Sequence, residues 1–240
     1  MSYYQRLDMA LFRSICMRIN YLAMDRIDLL FAAKEAARWM SKPTQIATEM
    51  VKRIGRYLMR RPRVVQRFIQ QIEPDNLTVS CDSDHAGCVL TRKSTTGIAL
   101  YHGAHLLKAT ANTQTVIALS SGESEFYAIV RGTSVGLGAQ SMCKDFGMTK
   151  NLVVETDATA GRGMALRLGA GKVRHLHTQY LWVQAIYHER RARLIKVPGE
   201  QNTADMMTKH LAGDKIDFFM DRCGFVIMEG RSELSLRAAV

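Results

Sequence analysis

The sequence predicts an α/β domain on a five-stranded mixed sheet, preceded by a helical and strongly basic segment. Three observations predict it. Apolar residues recur at helical spacing through the first 60 positions. From residue 77 onward short stretches alternate apolar and polar, which is the period of a strand. Those strands interleave with helix-forming stretches in the order β-β-β-α-β-α-α-β-α, a pattern that calls for a mixed sheet flanked by helices. The 240 residues are 47% hydrophobic and 23% charged, an ordinary globular balance that excludes a disordered tail, a collagen and a small disulfide scaffold.

Taken in order, residues 11–40 show helical periodicity rich in Ala, Met and Leu. Ser41-Lys42-Pro43 interrupts it, because the residue before a proline is pushed out of the α region. Thr44 can then cap a second helix running to about Arg60. Pro62 ends that helix, and Pro74-Asp75-Asn76 reads as a turn or linker.

Leu77–Cys81 reads as the first strand, followed by Ile98–Tyr101 and Leu106–Thr110 joined at His102-Gly103. Ser120 with Glu123 three residues on forms a capping box, so a helix starts there. Phe126, Ile129, Val130, Thr133 and Leu137 line one face of it. Leu152–Thr156 is a fourth strand, with a glycine-punctuated helix after Asp157. His175–Arg190 reads as helix, Arg193–Val197 as the fifth strand and Thr203–His210 as a short closing helix. The resulting division is 1–76 helical, 77–211 α/β, and 212–240 a tail.

The charge points to a polyanionic partner. Lys and Arg number 33 against 22 acids, a net of +11. Residues 1–76 alone carry 14 basic and 7 acidic side chains. Lys52, Arg53, Arg56, Arg60, Arg61, Arg63 and Arg67 fall in one stretch with no acid among them, and Lys52, Arg56 and Arg60 share a helical face. Like charges at that spacing repel unless neutralised, as a phosphate backbone would do. A plain solvated face is the competing reading. Five scattered cysteines without a C-x-x-C pair indicate neither a disulfide framework nor a zinc site. With no long uncharged apolar run and no signal-peptide pattern, the sequence reads as a soluble intracellular chain with no membrane partner.

The acids of the second half sit at chemically informative places. Asp82 follows the first strand, Asp157 ends the fourth, and Glu125 and Asp205 lie in the first turns of helices. Carboxylates drawn from several elements are the hard oxygen ligands that magnesium takes. Two such ions about 4 Å apart can hold a phosphodiester, activate water and stabilise the leaving oxygen. Taken singly, each acid reads as a cap or a surface charge rather than as a metal ligand. The histidine pairs His102/His105 and His175/His177 lack a partner at ligand spacing, and the glycines at 161, 163, 169 and 171 do not form a dinucleotide-binding pattern.

The blocks 81–87 (Cys-Asp-Ser-Asp-His-Ala-Gly), 92–97 (Arg-Lys-Ser-Thr-Thr-Gly), 118–128 (Ala-Leu-Ser-Ser-Gly-Glu-Ser-Glu-Phe-Tyr-Ala), 155–157, 174–177 and 197–209 resemble the ribonuclease H domain of copia-type LTR-retrotransposon Pol polyproteins, in the family's order. Ile19–Leu29, Arg38–Thr44 and Lys52–Leu58 are similar, more loosely, to the thumb or connection region that follows the reverse transcriptase palm. No Tyr-x-Asp-Asp occurs in the chain, so polymerase activity is not expected of it. The resemblance implies a ribonuclease H-like fold and a Mg²⁺-dependent endonuclease for the RNA strand of RNA–DNA hybrids. Two Mg²⁺ ions, with Mn²⁺ as substitute, would be held by Asp82, Glu125, Asp157 and Asp205. It further implies a basic grip on the hybrid by Lys52, Arg53, Arg56, Arg60, Arg61 and Arg63, and the rest of a reverse transcriptase as a partner.

Three positions depart from the family pattern. His177 stands where the family has an acid, His85 stands where a tryptophan is common, and the mobile-loop histidine of cellular ribonucleases H has no counterpart between Val197 and Asp205. The alternative function is a catalytically inactive nucleic-acid-binding remnant of such a polyprotein.

Overall fold

Arg26 sets the first break in the chain, where the sequence pattern shows one continuous helical run. In the computed structural model, which describes residues 3–171, 173 and 175–230 and side chains from residue 9 onward, α1 (Tyr3–Leu22) stops short of it. The Arg26 guanidinium donates to Asp28 at 2.7 and 3.0 Å and to the Arg61 carbonyl at 3.0 Å. That buried knot fixes a single 3₁₀ turn (Ile27–Leu29), from which α2 (Leu30–Ala37) continues. Tyr57 donates its hydroxyl to the same Asp28 at 2.8 Å, and burial pushes the phenol up to about 12.

The next helix, α3 (Gln45–Arg60), begins where the Thr44 side chain accepts the Ala47 N–H at 3.2 Å, the expected cap. Its Val51 and Ile54 pack with Phe12, Cys16, Ile19 and Leu29 into one core. Pro62 ends the helix, and β1 (Arg63–Gln66) follows directly.

The second half begins with three strands, β2 (Asn76–Asp84), β3 (Thr95–His102) and β4 (His105–Thr113). Each overlaps the stretch expected from alternation and extends beyond it. Next comes α4 (Ser121–Asp145), capped as expected by Ser120, whose side chain accepts the Glu123 N–H. Phe126, Ile129, Val130 and Thr133 of its apolar face are buried. Then follow β5 (Asn151–Thr156), α5 (Thr159–Leu166), α6 (Trp182–His188) and β6 (Arg193–Lys196).

The strands form a five-stranded mixed sheet in the order β4-β3-β2-β5-β6. β2, β3 and β4 pair antiparallel, whereas β5 runs parallel to both β2 and β6. With helices against it, this is the ribonuclease H-like fold that the resemblance implies. Because β2 and β5 are parallel neighbours, with Ser80 opposite Glu155, their C-terminal ends emerge at the same edge of the sheet. Asp82 and Asp157 are carried there.

Three expectations about local structure need correction. Residues 175–190 are not one helix: a 3₁₀ turn (Thr178–Tyr180) precedes α6, which ends at His188, and Arg190 adopts a positive φ of 57° that stops further winding. The closing helix is a 3₁₀ turn (Thr203–Met207) capped by Asn202, whose side chain accepts the Ala204 N–H. The segment read as a tail contains α7 (Gly213–Arg222) and β7 (Phe225–Met228), and β7 pairs antiparallel with β1. The chain accordingly divides into two compact units, one up to Phe68 together with Met220 onward, the other Ile69–Phe219. Among the described residues no helix is long and apolar enough to cross a membrane.

Candidate metal centre

Asp82 sits on β2, one residue beyond the buried Cys81, and is itself only 6% exposed. Glu125 lies in the second turn of α4, and Asp157 follows the last residue of β5. Each of the three offers a carboxylate oxygen, and these oxygens all lie within 4.8 Å of one another. A close approach of helices makes this possible. At Gly161 of α5 an added Cβ would fall 2.7 Å from the Cβ of Glu125, so only glycine lets α5 lie against that turn of α4.

At Glu125 and Asp82, burial raises the carboxyl pKa, and the like charges nearby raise it further. Desolvation is the main cause at Glu125, and the charges of Asp82 and Asp157 add to it, pushing the carboxyl up to about 9. Asp82 is raised to about 6, again mainly by burial, with contributions from Asp205 and Asp157. The Thr208 hydroxyl, donating to Asp82 Oδ2 at 2.6 Å, opposes that rise, as does the Lys209 charge. Glu125 Oε2 is buried and makes no hydrogen bond of ordinary geometry among the described residues. A buried carboxylate oxygen such as Glu125 Oε2, without an ordinary hydrogen bond and crowded by like charges, is the chemistry of a hard divalent cation site.

The fourth expected acid is placed differently. Asp205 lies in the 3₁₀ turn and pairs with Lys209 of the following segment, while its charge still acts on Asp82. That turn is held close to the sheet at Gly97, where an added Cβ would fall 2.5 Å from the Ala204 carbonyl oxygen. Asp84 accepts the Thr95 N–H and stands outside the three-acid group. The return bond of Glu123 goes to the residue before the cap, not to Ser120 itself. The buried Glu123 carboxylate accepts the Leu119 N–H at 2.9 Å, the Tyr127 hydroxyl at 2.6 Å and His175 Nε2 at 2.9 Å. These donors hold its pKa below the usual value against the cost of burial. Arg174, next to this histidine, lies outside the described residues.

Among the basic residues, Arg53, Arg56 and Arg60 line one cavity of about 490 Å³ together with Tyr57. Lys52 pairs with Glu49 at 2.8 Å, a partner just outside the acid-free stretch. Arg61 is the C-cap of α3 and sits 5.4 Å from the centre of the Tyr57 ring. Arg63 belongs to β1. These six cations therefore do not share one helical face. The sequence alone gives no role to Thr208 or Lys209, and for His175 it sets aside metal ligation without revealing the Glu123 partner. Only Lys209 left a local signal, standing four residues after Asp205.

The fold and the acid group define an α/β protein of ribonuclease H-like architecture with a three-carboxylate cluster at the ends of its parallel strands. Sequence comparison finds similarity to Pol polyproteins. The chain is similar to the retrovirus-related Pol polyprotein from transposon RE1 of Arabidopsis thaliana, 24% identical over 216 residues that cover 89% of this chain and 15% of the polyprotein. A second such polyprotein, from transposon TNT 1-94 of Nicotiana tabacum, is 23% identical over 201 residues, 83% of this chain and 15% of that one. An uncharacterized mitochondrial protein of Arabidopsis thaliana is 33% identical over 118 residues. The chain spans about half the length of that relative (49%) and 15% of the polyproteins. Its homologues are thus the copia-type polyproteins that the motifs resemble. No protein-family model matches the chain. Among solved structures it is similar to LC11 ribonuclease H1, isolated from compost, with 15% identity and a TM-score of 0.44 over 60% of this chain and 97% of that one.

Proposed function

We propose that this chain is a Mg²⁺-dependent ribonuclease H that cuts the RNA strand of RNA–DNA hybrids. The observation that carries the reading is the convergence of Asp82, Glu125 and Asp157, drawn from two parallel strands and one helix, to within 4.8 Å. These residues would hold the metal, with Asp205 close enough for its charge to act on Asp82. When bound, divalent magnesium neutralises phosphate charge and makes water a nucleophile near neutral pH.

The protein's own groups prepare that chemistry. Thr208 fixes one oxygen of Asp82 through its 2.6 Å hydrogen bond. Glu123 anchors the first turn of α4 with three accepted hydrogen bonds, which steadies the backbone from which Glu125 projects. Lys209 holds Asp205 at the margin of the group. The cavity of Arg53, Arg56 and Arg60 supplies positive charge for the phosphate backbone, independent of sequence. The wide minor groove and 2′-hydroxyls would identify the RNA strand.

A hybrid labelled on its RNA strand, incubated with Mg²⁺ or Mn²⁺, tests the reading. The expected products carry 3′-hydroxyl and 5′-phosphate ends, and Asp157→Asn abolishes them. Tight hybrid binding without cleavage at any concentration of either metal would overturn it and leave an inactive binding remnant.

A further inference from the structure

A second cavity, of about 500 Å³, opens between the end of β4, the first half of α4 and the segment 179–182. Part of its wall is aromatic. Tyr180 meets Tyr127 edge-on with ring centroids 4.9 Å apart, and Trp182 lines the cavity with 37% of its surface exposed.

Gln114 also lines it and is 8% exposed. Its Nε2 donates to the Thr96 hydroxyl at 3.0 Å and to the Ser124 carbonyl at 2.9 Å. Those bonds fix the orientation of the amide, since a flip would set its oxygen against the Ser124 oxygen. The buried Oε1 is left with no hydrogen-bond partner among the described residues. A buried acceptor in that state calls for a donor.

The cavity contains a charge as well. Arg131 lines it and is exposed, and among the described residues no ion pair engages its guanidinium. An aromatic wall, a buried acceptor and an available guanidinium correspond to the three parts of a nucleotide. The base stacks on the rings, a base N–H or a 2′-hydroxyl donates to Gln114, and the phosphate meets Arg131. A volume near 500 Å³ suits a ligand of that size. A base inside a duplex has both faces covered by its neighbours and cannot stack on a protein ring, so the nucleotide must be unpaired.

We propose that this cavity binds one unpaired nucleotide of the nucleic acid on which the chain acts, as a site separate from the carboxylate group. It deepens the nuclease reading and rests on its nucleic-acid part. Gln114 connects the two sites: it holds the carbonyl of Ser124, the residue before Glu125. Single-stranded ends or gaps flanking a hybrid would supply the ligand.

The test uses the full chain with Trp39→Phe, which leaves Trp182 as the one indole of the two in the sequence. The probes are labelled five-nucleotide RNA and DNA oligomers, titrated in EDTA so that no cleavage occurs. Saturable quenching of Trp182 fluorescence that tracks the anisotropy of the label is expected. Arg131→Gln, and Trp182→Leu followed by anisotropy alone, should each weaken binding about ten-fold. Both side chains are exposed, so these variants should fold. Tighter binding of RNA than DNA would support the site with the 2′-hydroxyl as donor, and equal binding would support it with the base as donor. Anisotropy that saturates while Trp182 emission stays constant, or variants that bind like the parent, would overturn the proposal. Asp157→Asn should bind the oligomers unchanged, so a failure of cleavage is distinguishable from a failure of this site.

Discussion

Replacing Glu125 by Gln removes one of three crowded carboxyls, and its effect on stability has a calculable sign. The Glu125 carboxyl titrates near 9 in the folded protein against an ordinary 4.5. Between those values the folded metal-free protein holds one more proton than the unfolded chain, so its stability falls as pH rises, by about 1.4 kcal/mol per unit. From pH 5 to pH 8 the ceiling is about 4 kcal/mol, and relaxation with partial solvent access brings it to about 2 kcal/mol. Asp82, raised from 3.8 to about 6, has the same sign, and its loss is complete near pH 6. Urea denaturation in EDTA at pH 5 and pH 8 measures the effect on parent and variant. The parent should lose about 2 kcal/mol over this range and Glu125→Gln less than about 1 kcal/mol. A variant that follows the parent's pH dependence, or a parent that gains stability with pH, would refute the electrostatic reasoning.

Three further outcomes are expected. Replacing Arg53, Arg56 and Arg60 together by Gln should flatten the dependence of log K for hybrid binding on log salt by about two to three units of slope, measured by anisotropy from low to physiological salt. Gly161→Ala places a methyl 2.7 Å from the Glu125 Cβ and 3.0 Å from its backbone, so cleavage should fall sharply. Its thermal denaturation should show a loss of about 1–3 kcal/mol. Lys209→Met releases Asp205 from its ion pair, so the Mg²⁺ concentration at the midpoint of thermal stabilisation should drop several-fold, whereas an unchanged midpoint would mean that Lys209 does not compete with the metal.

Features set by short-range spacing were legible in the sequence. The caps at Thr44 and Ser120 follow from one hydroxyl placed three residues before the N–H it accepts, and both form. Alternation from Leu77 located β2 but stopped short of Asp84, because Ser80, Asp82 and Ser83 are buried although polar. They are buried because α4 and the 3₁₀ turn Thr203–Met207 both pack against β2, which alternation cannot signal. Four-residue strands such as β1 and β7 leave too little pattern to see, and their pairing spans most of the chain. Long-range partners were equally hidden: Thr208 meets Asp82 across 126 residues and His175 meets Glu123 across 52. The acids themselves stood out through their positions at strand ends and helix starts, while their separation into a group of three and an Asp205–Lys209 pair needed coordinates.

Counting Mn²⁺ ions bound to the full chain by electron paramagnetic resonance, for the parent and for Asp82→Asn, Glu125→Gln and Asp157→Asn, tests the carboxylate centre most directly. Saturable binding by the parent that is lost or weakened at least ten-fold in every variant is predicted. Mn²⁺ that remains free in solution at all concentrations, or that binds the three variants as it binds the parent, would contradict the assignment of these carboxylates to a metal centre.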